Sequence, residues 1–244
     1  MVMKKNHWLI GALSLFIVHV HAQEPAWQVG FHLSPGLGWQ QYFTRSDSSA
    51  AMEEVEEANT IARNRFAYSF GATIGYRLND RVTLTAGISL SRKGSQTKDI
   101  AYNPGVFTGE MAANTVQHYC YDQYFLSVPL EALYTIDLGR RTFYAGAGIN
   151  TEVYMKTRII QEITSQSDGD RDTFEYKDRV KPYRRLLLSG MVNFGYQHIL
   201  TDRLHLRVGP AFQFPLMGML QPRYAFVDHR LYAVQFDMVI GYLL

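Results

Sequence analysis

Three features of the 244-residue sequence predict an all-β fold, an eight-stranded antiparallel up-and-down transmembrane β-barrel behind a cleaved export signal. Large apolar side chains recur at every second position in eight segments, the period of a strand with one greasy face. The links between these segments alternate strictly between short and long. The N-terminus carries the charge and apolar pattern of a secreted chain.

The first segment, Met1 to Ala22, reads MVMKKNHWLIGALSLFIVHVHA. Lys4 and Lys5 precede an apolar stretch from Trp8 to Val18, and Val20-His21-Ala22 suits a cleavage site. This predicts a signal peptide over residues 1–22 and one domain over residues 23–244. The apolar stretch is too short for a helical span of ~20 residues. Lys and Arg total 24, Asp and Glu 22. Loss of Lys4 and Lys5 leaves a neutral chain, which excludes nucleic acid as a partner held by a basic face. The single cysteine, Cys120, excludes a disulfide framework and any multi-cysteine metal site.

The strands follow in order. Trp27, Val29, Phe31, Leu33, Leu37 and Trp39 mark one face of the first. Phe66, Tyr68, Phe70, Ala72, Ile74, Tyr76 and Leu78 alternate with small or polar residues; Asn79-Asp80 turns the chain, and Val82, Leu84, Ala86, Ile88 and Leu90 continue. Tyr124 to Ile136, a turn at Asp137–Arg140, and Phe143 to Val153 repeat the unit. Leu186 to Tyr196, a turn near Thr201-Asp202-Arg203, and Leu204 to Phe214 repeat it again, and Tyr232 to Leu244 closes the set. The long polar links are residues 44–63, 94–118, 157–183 and 217–229. Short turns at one end, long loops at the other and an even strand number predict a bacterial outer-membrane location, with outer-membrane lipid as a partner and the four loops as surfaces for other envelope proteins. Trp27, Tyr76, Phe143, Tyr196 and Tyr242 below, with Trp39, Phe66, Tyr124 and Tyr232 above, suit interfacial girdles. A soluble ligand-binding barrel is the alternative, with the large apolar face turned inward.

Inward positions are rich in Gly, Ser, Thr, Asn and Gln. Glu131, Arg207 and Asp237 share the inward face at one height above the short turns, predicting an ion cluster inside a side-chain-filled lumen. Asn150, Asn193, Gln213 and Gln235 stand ready to complete its hydrogen bonds. Ser48 to Ala58 predicts a short loop helix with serine at its N-cap and acids in its early turns. Asp168-Gly169-Asp170-Arg171-Asp172 resembles the start of a calcium loop, but Thr173 and Arg179 stand where such a loop needs Gly and Glu. Of the histidines beyond residue 22, His32 is inward beside Ser34 with no acid the sequence can place, His205 lies near the short turns, and His118 and His229 lie in or beside long loops. No nucleophile–base–acid spacing singles out a catalytic site. No catalytic residue, cofactor or metal is expected.

Tyr68-Ser69-Phe70-Gly71-Ala72-Thr73-Ile74-Gly75-Tyr76-Arg77-Leu78, then Leu90-Ser91-Arg92-Lys93-Gly94, then Tyr124-Phe125-Leu126-Ser127-Val128-Pro129-Leu130 resemble the PorT-like outer-membrane β-barrel domain family. Phe143-Tyr144-Ala145-Gly146-Ala147-Gly148 fits as well, and the likeness spans roughly residues 26–244. Gly241-Tyr242-Leu243-Leu244 looks like a barrel-assembly signal with leucine in place of the usual terminal aromatic. The resemblance implies the barrel. For function, its founding member implies a link to type IX protein secretion. The expectation is therefore a non-enzymatic barrel acting structurally or by binding through its outer loops. The alternatives are an accessory part of a secretion machine, and a small barrel enzyme acting on lipid or peptide.

Overall fold

The computed structural model describes residues 27–101, 115–139, 141–165, 171–178, 183–221 and 227–244. The signal-peptide residues 1–22 and Asp168 to Asp170 of the calcium-like stretch lie outside the described residues. The elements are β1 (Trp27–Thr44), α1 (Ser49–Ile61), β2 (Ala62–Arg77), β3 (Val82–Thr97), β4 (Ile100–Ala101), β5 (Thr115–Leu138), β6 (Arg141–Ser165), β7 (Arg171–Asp178), β8 (Leu186–Ile199), β9 (Leu204–Pro215) and β10 (Val227–Leu243).

Eight of these strands close a ring in the order β1-β2-β3-β5-β6-β8-β9-β10, all antiparallel, and β10 returns onto β1 from Gln28↔Leu243 to Thr44↔Val227. Closure leaves no open edge within the membrane, the condition for a sheet to cross lipid. Local chemistry makes the short turns. Asn79 Oδ1 accepts from the Arg81 and Val82 amides at 2.9 and 2.8 Å, Thr201 Oγ1 accepts from the Leu204 amide at 3.0 Å, and Gly139 takes φ 65°. Where Gly195 faces Gly209, a Cβ on either would overlap the other strand's backbone.

Burial is inverted relative to a water-soluble protein. Phe31 is 74% exposed and Phe194 64%, whereas Lys93 is 1% exposed. The soluble alternative required the apolar face inside; here that face points outward, a surface suited to lipid and prone to aggregate in water. Tyr134 to Tyr124 on β5 brackets the greasy stretch in ten steps, which at a barrel tilt rises about 25 Å, the height of the apolar band. The girdle aromatics pair across strands. Trp27 meets Tyr76 at 4.9 Å and Phe143 meets Tyr196 at 5.7 Å below, while Trp39 stacks on Tyr232 at 5.4 Å above.

The long loops differ from expectation in two places. The links predicted at 94–118 and 157–183 are partly strand. β3 runs to Thr97, β5 starts at Thr115, β6 reaches Ser165, and β7 pairs with β6 from Thr157↔Asp178 to Thr164↔Arg171. A β5–β6–β7 sheet therefore rises above the ring, with β4 beside β5. Residues 158–165 are half-exposed and 171–176 exposed at every position, so they lack the one-sided apolar alternation that reveals the membrane strands. In the link predicted at 44–63, α1 forms as expected with Ser48 at the N-cap. The Ser48 side chain makes no capping bond, and the first turn holds no acid because the helix starts at Ser49, ahead of Glu53. Asn59 instead docks the helix on β1 by accepting from the Tyr42 amide at 2.8 Å and donating to its carbonyl at 3.1 Å.

Candidate functional site in the barrel lumen

The lumen divides into three levels. In the middle, β3 and β6 bring Lys93 Nζ to 2.6 Å from Glu152 Oε1, with both side chains almost fully buried. Glu152 is richly hydrogen-bonded: its Oε2 accepts from Ser189 Oγ at 3.1 Å, and its Oε1 also from Asn150 Nδ2 at 3.2 Å, Gln213 Nε2 at 3.3 Å and Ser127 Oγ at 3.4 Å. The Lys93 ammonium also lies 5.7 Å from the centre of the Phe125 ring. Such a pair is tolerated out of water because the carboxylate keeps its cation and both of its oxygens accept hydrogen bonds.

Above it, Phe125, Leu187, Met219 and Leu231 form an apolar cluster, with Tyr154, Tyr183 and Met217 packed against it. Met217 and Met219 come from the link between β9 and β10, so an outer loop is folded into the mouth of the barrel. Its backbone is tied on both sides. The Met219 amide donates to the His229 carbonyl at 3.0 Å and the Arg184 amide to the Met219 carbonyl at 2.8 Å. Arg45, just after β1, donates to Asp228 Oδ2 at 2.5 Å and to the Leu220 carbonyl at 3.1 Å, while Asp228 Oδ1 accepts from the Leu220 amide at 3.0 Å. Gly218 lies so close to the Asp228 carboxylate that a Cβ there would collide with it. Loop one, the approach to β8 and the β9–β10 link are thus latched together.

Below the middle level lies a cavity of about 80 Å³, enough for a few waters. Glu131, Arg207 and Asp237 all line it, with His32 and Ser34. The three charges share the cavity, but they do not form the predicted ion cluster: among the described residues no nitrogen of Arg207 comes within 4.0 Å of either carboxylate. Neutral donors hold the carboxylates instead. Glu131 accepts from Asn193 and, at 3.3 Å, from Thr85 Oγ1; Asp237 accepts from Ser34 Oγ at 2.6 Å. Arg207 lies over the Tyr144 ring at 5.6 Å, and its Nε has no hydrogen-bond partner among the described residues. Span separates Arg207 from Glu131: Glu131 sits on β5 and Arg207 on β9, with β6 and β8 between them in the ring. Asp237 is on the adjoining strand β10, where Asp237 pairs with Gly209 and Arg207 with Val239, and its carboxylate is held by Ser34 from β1. Arg207 also borders a second cavity of about 150 Å³ toward the short-turn end, lined by Arg77, Asp80 and Asp137 among others.

Sequence reasoning therefore placed the lower charges at their level and missed the upper pair. Lys93 follows inward Ser89 and Ser91 by the period of two, which was signal enough for its direction. Its meeting with Glu152 depends on strand stagger, which a single sequence does not display. Asp237 is the acid beside Ser34 that spacing could not place. His118, above the ring, stands between Asp99 (Nδ1 to Oδ1, 3.4 Å) and Glu162 (Nε2 to Oε2, 3.2 Å), and Arg171 also pairs with Glu162. Cys120 is a buried free thiol on β5.

The family described as outer membrane protein beta-barrel domain matches residues 21–221. Among curated proteins none is similar in sequence. Solved structures similar to this chain include the N-terminal β-barrel domain of Pseudomonas aeruginosa OprF, at 11% identity over 89% of this chain and 97% of that one, with a TM-score of 0.36. Neisserial surface protein A is similar at 11% identity over 86% and 96%, with a TM-score of 0.36. The outer membrane protease OmpT of Escherichia coli is similar at 11% identity over 92% and 100%, with a TM-score of 0.38.

Proposed function

Since the chain belongs to the outer membrane protein beta-barrel domain family, we propose that it is a closed, non-enzymatic barrel that works structurally and by binding at its outer face. The observation that carries this reading is the stopper in the lumen: the buried Lys93–Glu152 pair beneath the Phe125–Leu187–Met219–Leu231 cluster. Charge buried this way opposes an ion, and an apolar constriction opposes water. With the bore blocked, the raised β5–β6–β7 sheet and the latched loops are what the protein offers to other molecules. Conductance of the purified protein in planar bilayers tests the closed state. The expected record is flat; a stable, large open state overturns the reading. Hydrolysis of lipid A or peptide by the same preparation overturns its non-enzymatic part.

The finer PorT-like resemblance supports a second reading, an accessory role in a type IX-like secretion machine. Two residues of its motifs, Lys93 and Phe125, are spent on the stopper, which favours barrel packing as their role. Recovery of secretion-machine subunits with the protein from native outer membranes is the result that would favour secretion.

A further inference from the structure

Two β-bulges turn basic side chains outward at one place on the wall. In β2 the register shifts between Asn64 and Tyr68: Asn64 pairs with lumen-facing Ser95, and Tyr68 with outward Arg92. The extra residue sends Arg65 outward, where the parity of Ala67 and Ser69 would have sent it into the lumen. In β6 Tyr154 pairs with Phe125, and Lys156, past the bulged Met155, pairs with Tyr124. Lys156 keeps step with inward Glu152 and Tyr154, and only the bulge brings it to the outer face. Bulges re-aim side chains, and these two aim at the same patch.

The patch is framed from within. Asp122, 1% exposed, takes Nε and Nη2 of Arg65 at 2.6 and 3.1 Å and Nε and Nη2 of Arg92 at 3.0 and 2.7 Å. Arg92, Tyr124 and Lys156 form one cross-strand row on β3, β5 and β6, with Lys156 Nζ 4.9 Å from the centre of the Tyr124 ring. Arg158 stands opposite Asp122; its Nη2 donates to Glu175 at 2.7 Å, and its Nε has no partner among the described residues. Lys156 is exposed, and no carboxylate among the described residues lies within 4.0 Å of it. Among the described side chains, four cations thus face two carboxylates. The next row toward the barrel's middle is Leu90–Leu126–Val153, part of the lipid-facing surface. Positive charge in excess therefore begins where the apolar band ends, on the long-loop side that faces outward.

We propose that Arg92, Lys156 and Arg158 bind the phosphate of a phosphorylated glycolipid headgroup in the outer leaflet, with Asp122 and Arg65 as the frame that orients Arg92. The acyl chains of that lipid lie along Leu90, Leu126 and Val153. A phosphate monoester offers three strong acceptor oxygens and nearly two negative charges, which match the surplus of the patch, and guanidinium forks suit its geometry.

The test uses the full chain reconstituted in phosphatidylcholine nanodiscs doped with lipid A, read by native mass spectrometry. Wild-type protein retains bis-phosphorylated lipid A over fully dephosphorylated lipid A by about tenfold or more, and Lys156→Glu lowers that retention about tenfold, the scale of one charge-assisted contact. Arg230→Gln removes another basic group of the outer rim, which lies over Phe43 on the far side of the ring, and leaves retention within about twofold. Heat-modified gel mobility checks that each variant forms the barrel, and Lys156→Gln replaces Lys156→Glu if reversal prevents folding. Equal retention of the dephosphorylated lipid overturns the proposal, as does an Arg230→Gln effect as large as that at Lys156. Displacement of the lipid by millimolar inorganic phosphate shows a site for free phosphate and overturns the lipid as occupant.

Discussion

The upper and lower halves of the lumen contain similar groups and handle them differently. In the upper half a cation and a carboxylate touch, Lys93 to Glu152 at 2.6 Å, and an apolar cluster seals the space above. In the lower half Glu131 and Asp237 turn to neutral donors, Arg207 turns to an aromatic face, and a cavity of about 80 Å³ remains. Direct pairing closes a barrel, and pairing at a distance leaves room for water. On the proposed reading the upper half is the barrier, and the lower half is a vestibule with room for a few waters.

That contrast predicts unequal costs for removing one charge. Lys93→Met leaves Glu152 buried without its cation, and the loss is about 3–5 kcal/mol, read as a lower urea midpoint for the folded barrel in detergent. Lys93→Met with Glu152→Leu recovers most of that loss; failure of the double variant to recover would mean that the pair acts through the surrounding hydrogen bonds. Arg207→Met costs less, about 1–3 kcal/mol, because Asn193, Thr85 and Ser34 already donate to the carboxylates. An unchanged midpoint would remove any structural role for Arg207, and a loss equal to that at Lys93 would erase the distinction between the halves. Asp228→Asn weakens the latch on the β9–β10 link by about 1–2 kcal/mol; the wall stays intact, and brief openings appear in planar-bilayer records. Glu175→Gln, at the outer Arg158 pair, changes stability by less than about 1 kcal/mol.

What was legible in the sequence follows from where the solvent is one-sided. Phe66 to Leu78 and Val82 to Leu90 face lipid on one side only, so their alternation reveals the strands, their direction and the turn between them. The segment from Arg158 to Ser165 is half-exposed at every position and Arg171 to Tyr176 is exposed at every position, so neither has the one-sided burial that separates a strand from loop in the sequence. The height of Glu131, Arg207 and Asp237 could be counted from the turns. Their failure to touch could not, because it depends on the width of the ring between Glu131 and Arg207 and on Ser34 taking the carboxylate of Asp237 from the adjoining strand. Lys93 and Glu152 meet across β5, and only the strand stagger shows it. The outward turn of Arg65 and Lys156 was hidden for a related reason: a bulge reverses parity, and parity was the rule used to read direction.

The seam between β1 and β10 carries a consequence for biogenesis. Gln28 and Leu243 are partners in the same wall, so the first and last strands of the ring must find each other before the cylinder exists. Until they do, the sheet has two raw borders whose amides and carbonyls hydrocarbon cannot satisfy. Closure is therefore coupled to insertion: a sheet still open at this seam is disfavoured in hydrocarbon unless something else covers its borders.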